Sequence, residues 1–155
     1  MWNFSKTSNN NLGIRIYDFK TVVISNEKIT MGRIRQYIDV GEKKHWALFD
    51  SGARNTYVTN DVSSQLRTDE FESSKPISLG GKTHSIKKYC DLKCKIKGYE
   101  VNTNAFVLDE IGNDEDGKKI EVLIGALLMQ QWGIALIPEK EDIDMSNYPK
   151  EFVEF

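Results

Sequence analysis

The sequence predicts an all-β domain, a sheet closed or folded over on itself, with one short helix near its C-terminal end. Three observations carry that expectation. Short runs of β-branched and aromatic residues recur along the chain, frequent glycine turns separate them, and "ALLMQQWG" is the one stretch that reads as a clear helix. With 155 residues the chain is long enough for one domain with a real core, and 39% apolar against 28% charged residues leaves much exposed surface.

Taken in order, residues 1–12 are polar and asparagine-rich and read as a flexible arm. "GIRIYDF" and "TVVIS" supply one or two strands before residue 30. "GRIRQYIDV" then alternates strictly, with Ile34, Gln36, Ile38 and Val40 on one face and Arg33, Arg35, Tyr37 and Asp39 on the other. "GEKK" is a polar turn, and "HWALF" returns as the second arm of a hairpin. Residues 60–67 form a helical turn at most, "FESSK" reads as loop, and Pro76 opens a new strand. "ISLGGKTHSIKKY" is two β runs hinged on Gly80-Gly81, and "LKCKIKGYEVNTNAFVL" is a second hairpin turning near Gly98. "GNDEDGKK" is a charged loop, "IEVLIG" a strand, "ALLMQQWG" a helix closed by Gly133, and "IALIP" a last strand before an acidic tail.

A net charge of -2 with Lys and Arg spread along the chain gives no reason to expect nucleic acid or an anionic membrane. No apolar run approaches the roughly 20 residues of a membrane span, and the start lacks the apolar segment of a signal peptide, so the expected compartment is the cytoplasm. On one strand, Cys90 and Cys94 face the same way roughly 13 Å apart, too far for a disulfide. Adding His45 and His84 makes a possible zinc quartet, but no CxxC or HxxxH spacing supports it; ordinary strand cysteines are the preferred reading, with no metal and no cofactor.

"ALFDSGARNTYV" drives a carboxylate into the end of an apolar strand, which calls for a partner or a task. Together with the glycine-tipped hairpin "ISLGGKTHSIKKYCDLKCKIKG" and "VLIGALLMQQWGIALI", in that order, it resembles the retroviral and retroviral-like (retropepsin-type) aspartic proteases, including the DNA-damage-inducible ubiquitin-shuttle members. The resemblance runs from Arg33 to Pro138, about two-thirds of the chain. It divides the chain into an N-terminal extension (1–30), a retropepsin-like domain (31–138) and an acidic C-terminal extension (139–155). It implies a half-enzyme completed by homodimerisation, in which each copy gives one Asp50 to a pair that activates water against a peptide bond. Two carboxylates that close hold one shared proton. By the same resemblance Ser51 cross-links the two active-site loops, Gly52 lets the substrate backbone approach, and Gly80 and Gly81 form a flap tip between Leu79 and Lys82. Leu48, Ala53, Arg54 and Leu123 complete the expected peptide cleft.

Two departures stand out. Many retroviral enzymes carry an acidic residue after Gly-Ala and an arginine after the second Ile-Gly, and pair them; here those positions hold Arg54 and Ala126. The lost pair and the extensions support an alternative, a catalytically silent dimeric peptide-binding or scaffold module of the same fold. A third reading, a hydrolase using Ser51 with His45 or His84, lacks a nucleophile elbow. Trp46 and Trp132 read as core or interface aromatics, and Lys87-Lys88 and the acidic tail as solvated faces.

Overall fold

The computed structural model describes residues 14–16, 21–24, 27–30 and 33–152, so the polar arm expected at 1–12 lies outside the described residues. β1 (Ile14–Ile16), β2 (Thr21–Ile24) and β3 (Glu27–Thr30) form a small antiparallel sheet in that order. Each of the two β-prone runs holds a strand, and a third follows them.

From residue 33 the chain runs through β4 (Arg33–Val40), β5 (Lys43–Asp50), β6 (Tyr57–Thr59), the single turn α1 (Asn60–Ser63), β7 (Thr68–Leu79), β8 (Lys82–Ile96) and β9 (Tyr99–Leu108). It continues through β10 (Gly112–Asn113), β11 (Lys119–Ile120), β12 (Val122–Ile124), α2 (Ala126–Trp132), β13 (Ala135–Ile137) and β14 (Asp142–Asp144). Seven of these strands make one sheet in the order β4-β5-β12-β6-β9-β8-β7, and a further pair, Asp39 with Lys95, joins β4 to β8. The sheet therefore curls back on itself, and the class is all-β.

Alternation decides which side chains fill it. Ile34, Ile38 and Val40 of β4 are buried, as the pattern requires, and meet Ala47 and Phe49 of β5, Val58, Leu92, Ile96, Val122 and Ile124 in the main core. Burying a side chain such as Phe49 contributes about 1.5–3 kcal/mol. Leu128, Met129 and Trp132 of α2 pack onto the same core, and the helix ends with the Ile134 N–H bonded to the Met129 carbonyl at 2.8 Å.

Two local expectations change. "FESSK" is not a loop: β7 runs through it, with a register shift between Glu70 and Lys75. β7 is the last strand of the sheet order, so a bulge and Pro76 are both tolerated there. The charged segment 112–119 is not structureless either, because Gly112-Asn113 pairs with Lys119-Ile120. Asp114 folds the turn between them by accepting from the Asp116 and Lys118 N–H groups at 2.9 and 2.8 Å.

The acidic tail is solvated only at alternate positions. β14 pairs with β13, burying Ile143 and Met145 in the main core while the Asp142 carboxylate takes the Lys97 ammonium at 2.6 Å. Lys97, the Ile143 N–H and Gln36 hold the Asp142 carboxyl down at about 2. Farther on, Tyr148 stacks on Trp132 and donates its hydroxyl to the Glu100 carbonyl at 2.6 Å.

Candidate active site

Asp50 is the last residue of β5, follows the fully buried Phe49, and is itself only 5% exposed. Its Oδ1 accepts from the Gly52 N–H at 2.8 Å, and its carbonyl accepts from the Ala53 N–H at 3.1 Å. The turn thus presents two backbone donors to the strand end, and one of them meets the carboxylate. The two-residue turn at Gly41-Glu42 sets the β4–β5 register, and that register places Arg33 directly across from Asp50. Arg33 Nε lies 3.8 Å from Asp50 Oδ2. Within a single chain, then, the buried carboxylate is offset by a backbone N–H and a guanidinium.

The loop that follows is anchored to the start of α2. The Ala53 carbonyl accepts from the Ala126 N–H at 2.7 Å and the Arg54 carbonyl from the Leu127 N–H at 3.1 Å. The buried Thr56 hydroxyl oxygen accepts from the Gly125 N–H at 3.1 Å. A Cβ at Gly125 would sit 2.1 Å from the Asn55 carbonyl oxygen, so only glycine lets the helix start come this close. β12 runs parallel to β5, with Leu123 beside Leu48 and Ile124 beside Phe49. The Ile-Gly segment and the Asp-Ser-Gly loop are therefore one packed unit.

β7 and β8 form a long hairpin whose tip is a two-residue turn. Gly80 and Gly81 have φ of +59° and +79°, the pair of left-handed conformations that a type I′ turn needs. Below the tip, a second apolar cluster collects Leu48, Tyr57, Ile86, Leu108, Ile120 and Leu123, with Ala53, Ile77 and Leu79 packed against it. Of the sequence-predicted cleft residues, Leu48, Ala53, Leu79 and Leu123 thus meet in one cluster. Ser51, Gly52, Arg54, Gly80, Gly81 and Lys82 are exposed, and Lys82, next to the hairpin tip, lies 3.9 Å from Glu110.

Sequence reasoning missed Arg33, Thr56 and the apolar wall formed by Tyr57, Ile77 and Ile120. The signal for Arg33 was present in the tight turn at Gly41-Glu42, which fixes the register of β4 against β5.

His45 is buried, with Nδ1 3.1 Å from Glu121 Oε1 and Nε2 2.9 Å from the Gln65 amide. It sits six residues before Ser51 along one extended segment, roughly 20 Å away, so the two do not form a nucleophile–base pair. His84 is half-buried on β8, opposite Ile77. Cys90 and Cys94 are buried free thiols, pushed up to about 11 and about 12, chiefly by desolvation with the Asp91 and Asp39 charges adding. Among the described residues no group of three His, Cys, Asp or Glu side chains is arranged to hold a metal, and no helix is long and apolar enough to cross a membrane.

A cavity of about 610 Å³ is lined by Arg33, Arg35, Trp46 and Leu48 of β4 and β5 and by the β10–β11 turn, and Asp50 is not part of its lining. The hairpin is fixed by Trp46, whose indole N–H donates to Asp114 at 2.8 Å, and by Arg35, 2.7 Å from Glu115. Lys118 lies over the Tyr37 and Trp46 rings at 4.1 and 4.0 Å. Burial works to raise the Asp114 carboxyl, but the Lys118 and Asp116 N–H groups, Trp46 and Arg35 outweigh it and hold it below the usual range.

No protein-family model matches the sequence, and no curated protein matches it either. Solved structures do match. The retroviral protease-like domain of Ddi1 from Leishmania major superposes with a TM-score of 0.56 at 11% identity, over 76% of this chain and 91% of that one. EIAV protease in complex with the inhibitor HBY-793 is similar at a TM-score of 0.49 and 18% identity, over 68% of this chain and 92% of its own. The curled sheet, the Asp-Ser-Gly turn docked on the Ile-Gly helix start, and the structural likeness to the Leishmania domain converge on one conclusion: the chain has an all-β, retropepsin-like fold.

Proposed function

We propose that the chain is a homodimeric aspartic endopeptidase. One observation carries the reading: a carboxylate 5% exposed at the end of a core strand, held by the Gly52 N–H and bordered by an apolar cluster that reaches to the arms of a glycine-tipped hairpin. Each chain brings one Asp50, and the chemistry needs two. Across a two-fold axis the paired carboxylates share a proton: the ionised one takes a proton from water, and the protonated one polarises the scissile carbonyl. Ser51 ties the two turns together through its hydroxyl. Gly80 and Gly81 close over a substrate peptide in extended conformation and exclude water. Leu48, Ala53, Leu79 and Leu123 wall its apolar subsites, and Arg54 borders the cleft. The reading involves no nucleic acid, membrane or cofactor and places the protein in the cytoplasm.

A second reading is favoured by Arg33. Its guanidinium lies 3.8 Å from Asp50 Oδ2, on a carboxylate that the endopeptidase reading gives to water and substrate. In this reading Asp50 is occupied by Arg33, and the dimer binds peptide without cutting it. Incubation with a mixed peptide library separates the two. An endopeptidase yields fragments that vanish in Asp50→Asn, whereas a binding module returns intact peptides from both proteins.

A further inference from the structure

Resting on that functional reading, we propose that the cavity beside Leu48 is a specificity subsite for a long basic side chain, lysine or arginine, of the substrate peptide. Trp46, Leu48 and Asp50 stand at alternate positions of β5 and so share one face of the strand, at steps of roughly 7 Å. Asp50 ends that row, and the two members before it, Leu48 and Trp46, line the cavity. Leu48 and Ile120 also belong to the apolar cluster below the β7–β8 tip, so the cavity and the cleft share two walls. A peptide held with its scissile bond at Asp50 has this cavity within reach of one long side chain.

The β10–β11 turn forms the other wall, and it is held in place. The Trp46 indole N–H donates to Asp114 at 2.8 Å, Asp114 accepts from the turn's own N–H groups, and Arg35 holds Glu115 at 2.7 Å. These contacts tie the turn to β4 and β5 yet leave about 610 Å³ open between them.

Charge selects the guest. Four carboxylates, on Asp114, Glu115, Asp116 and Glu141, line the cavity against two guanidiniums, on Arg33 and Arg35. Arg35 is committed to Glu115, with Asp114 at 3.9 Å, and Arg33 reaches toward Asp50, 3.8 Å from Oδ2. Asp116 on the turn and Glu141 between β13 and β14 make no ion pair among the described residues. Two lysines are near in sequence, but Lys118 sits on the Tyr37 and Trp46 rings, Lys140 is exposed, and neither lines the cavity. A basic side chain fits both features: its methylenes lie along Leu48, Ile120 and Trp46, and its cationic end meets Asp116 and Glu141. A glutamate there would face the excess negative charge.

The test uses a mixed peptide library holding lysine, arginine, norleucine and glutamate in equal share. It is digested by the full chain and by the double variant Asp116→Asn, Glu141→Gln, both changes falling on exposed side chains. At one position relative to the scissile bond, basic residues should exceed norleucine among cleaved sequences, with glutamate rarest. The double variant should cut the basic-to-norleucine ratio about five-fold, the size of two exposed charge contacts. Asp116→Lys should shift the same position toward glutamate. Capture of the library by Asp50→Asn reads selectivity without cleavage. Cleavage with no basic preference, or with one that survives the double variant, overturns the proposal and leaves the endopeptidase reading standing. No cleavage, with selective capture of basic peptides that the double change abolishes, overturns the endopeptidase reading and leaves the subsite in a binding module. Neither cleavage nor selective capture overturns both.

Discussion

Replacing Gly125 with alanine should dislodge the active-site loop from the helix that supports it. The added Cβ would lie 2.1 Å from the Asn55 carbonyl oxygen, 2.6 Å from its carbon and 2.8 Å from the Arg54 oxygen. All three are backbone atoms, so no side chain can rotate away. A carbon needs roughly 3.3 Å from a carbonyl oxygen, so the loop and the helix start must separate by about 1 Å. That movement stretches the Ala126–Ala53 bond from 2.7 Å to a length beyond hydrogen bonding, and it strains the Leu127–Arg54 and Gly125–Thr56 bonds, both at 3.1 Å. Losing three bonds at about 1 kcal/mol each costs about 3 kcal/mol. For a chain of this length that corresponds to a melting temperature lower by about 6–12 °C. Differential scanning calorimetry of the two proteins measures it. An unchanged melting temperature would show that the loop and helix are not packed as described.

Other expectations follow from single contacts. Gly81→Ala meets nothing within 4 Å, so it should cost only about 1 kcal/mol for its φ of +79°, read as a small melting shift, while peptide turnover falls well beyond the unfolded fraction. Turnover that merely tracks stability would remove the hairpin tip from the mechanism. Folding lowers the Asp142 carboxyl to about 2 from an ordinary 3.8, so the Lys97 contact adds stability above about pH 4 and loses it as pH falls toward 2. Asp142→Asn should therefore flatten the acid limb of a melting-temperature profile between those values; an identical limb would show the contact is not formed. Cys90 and Cys94, buried and pushed up to about 11 and 12, should react slowly with a thiol reagent at pH 8 until denaturant is added, and prompt labelling of the native protein would contradict that burial.

Much of this architecture was legible because β structure writes its pattern with period two. The alternation in "GRIRQYIDV" gave the buried face of β4, and Gly80-Gly81 marked a hairpin that demands two positive φ angles. The apolar run into Asp50 flagged a carboxylate that needed a partner. What escaped depended on pairing across the sheet. Arg33 read as one of four polar-face residues until the turn register put it opposite Asp50. "FESSK" looked like loop because its composition is polar, yet on an edge strand such residues cost nothing. The tail looked uniformly acidic, and its alternation, Ile143 and Met145 inward with Asp142 and Asp144 outward, is too short to stand out. The glycine after Ile124 was recognised by position, but its reason is a carbonyl from a loop seventy residues earlier, which no local pattern encodes.

The central claim is that catalysis uses one Asp50 from each of two copies, and mixing tests it most directly. Wild-type chain and Asp50→Asn are combined at constant total concentration, allowed to exchange, and assayed for peptide cleavage. If the site is shared, only dimers with two carboxylates work, and activity falls as the square of the wild-type fraction, to about one quarter at equal parts. Activity that falls linearly, to about one half at equal parts, would mean that each chain carries a complete site and would contradict the account.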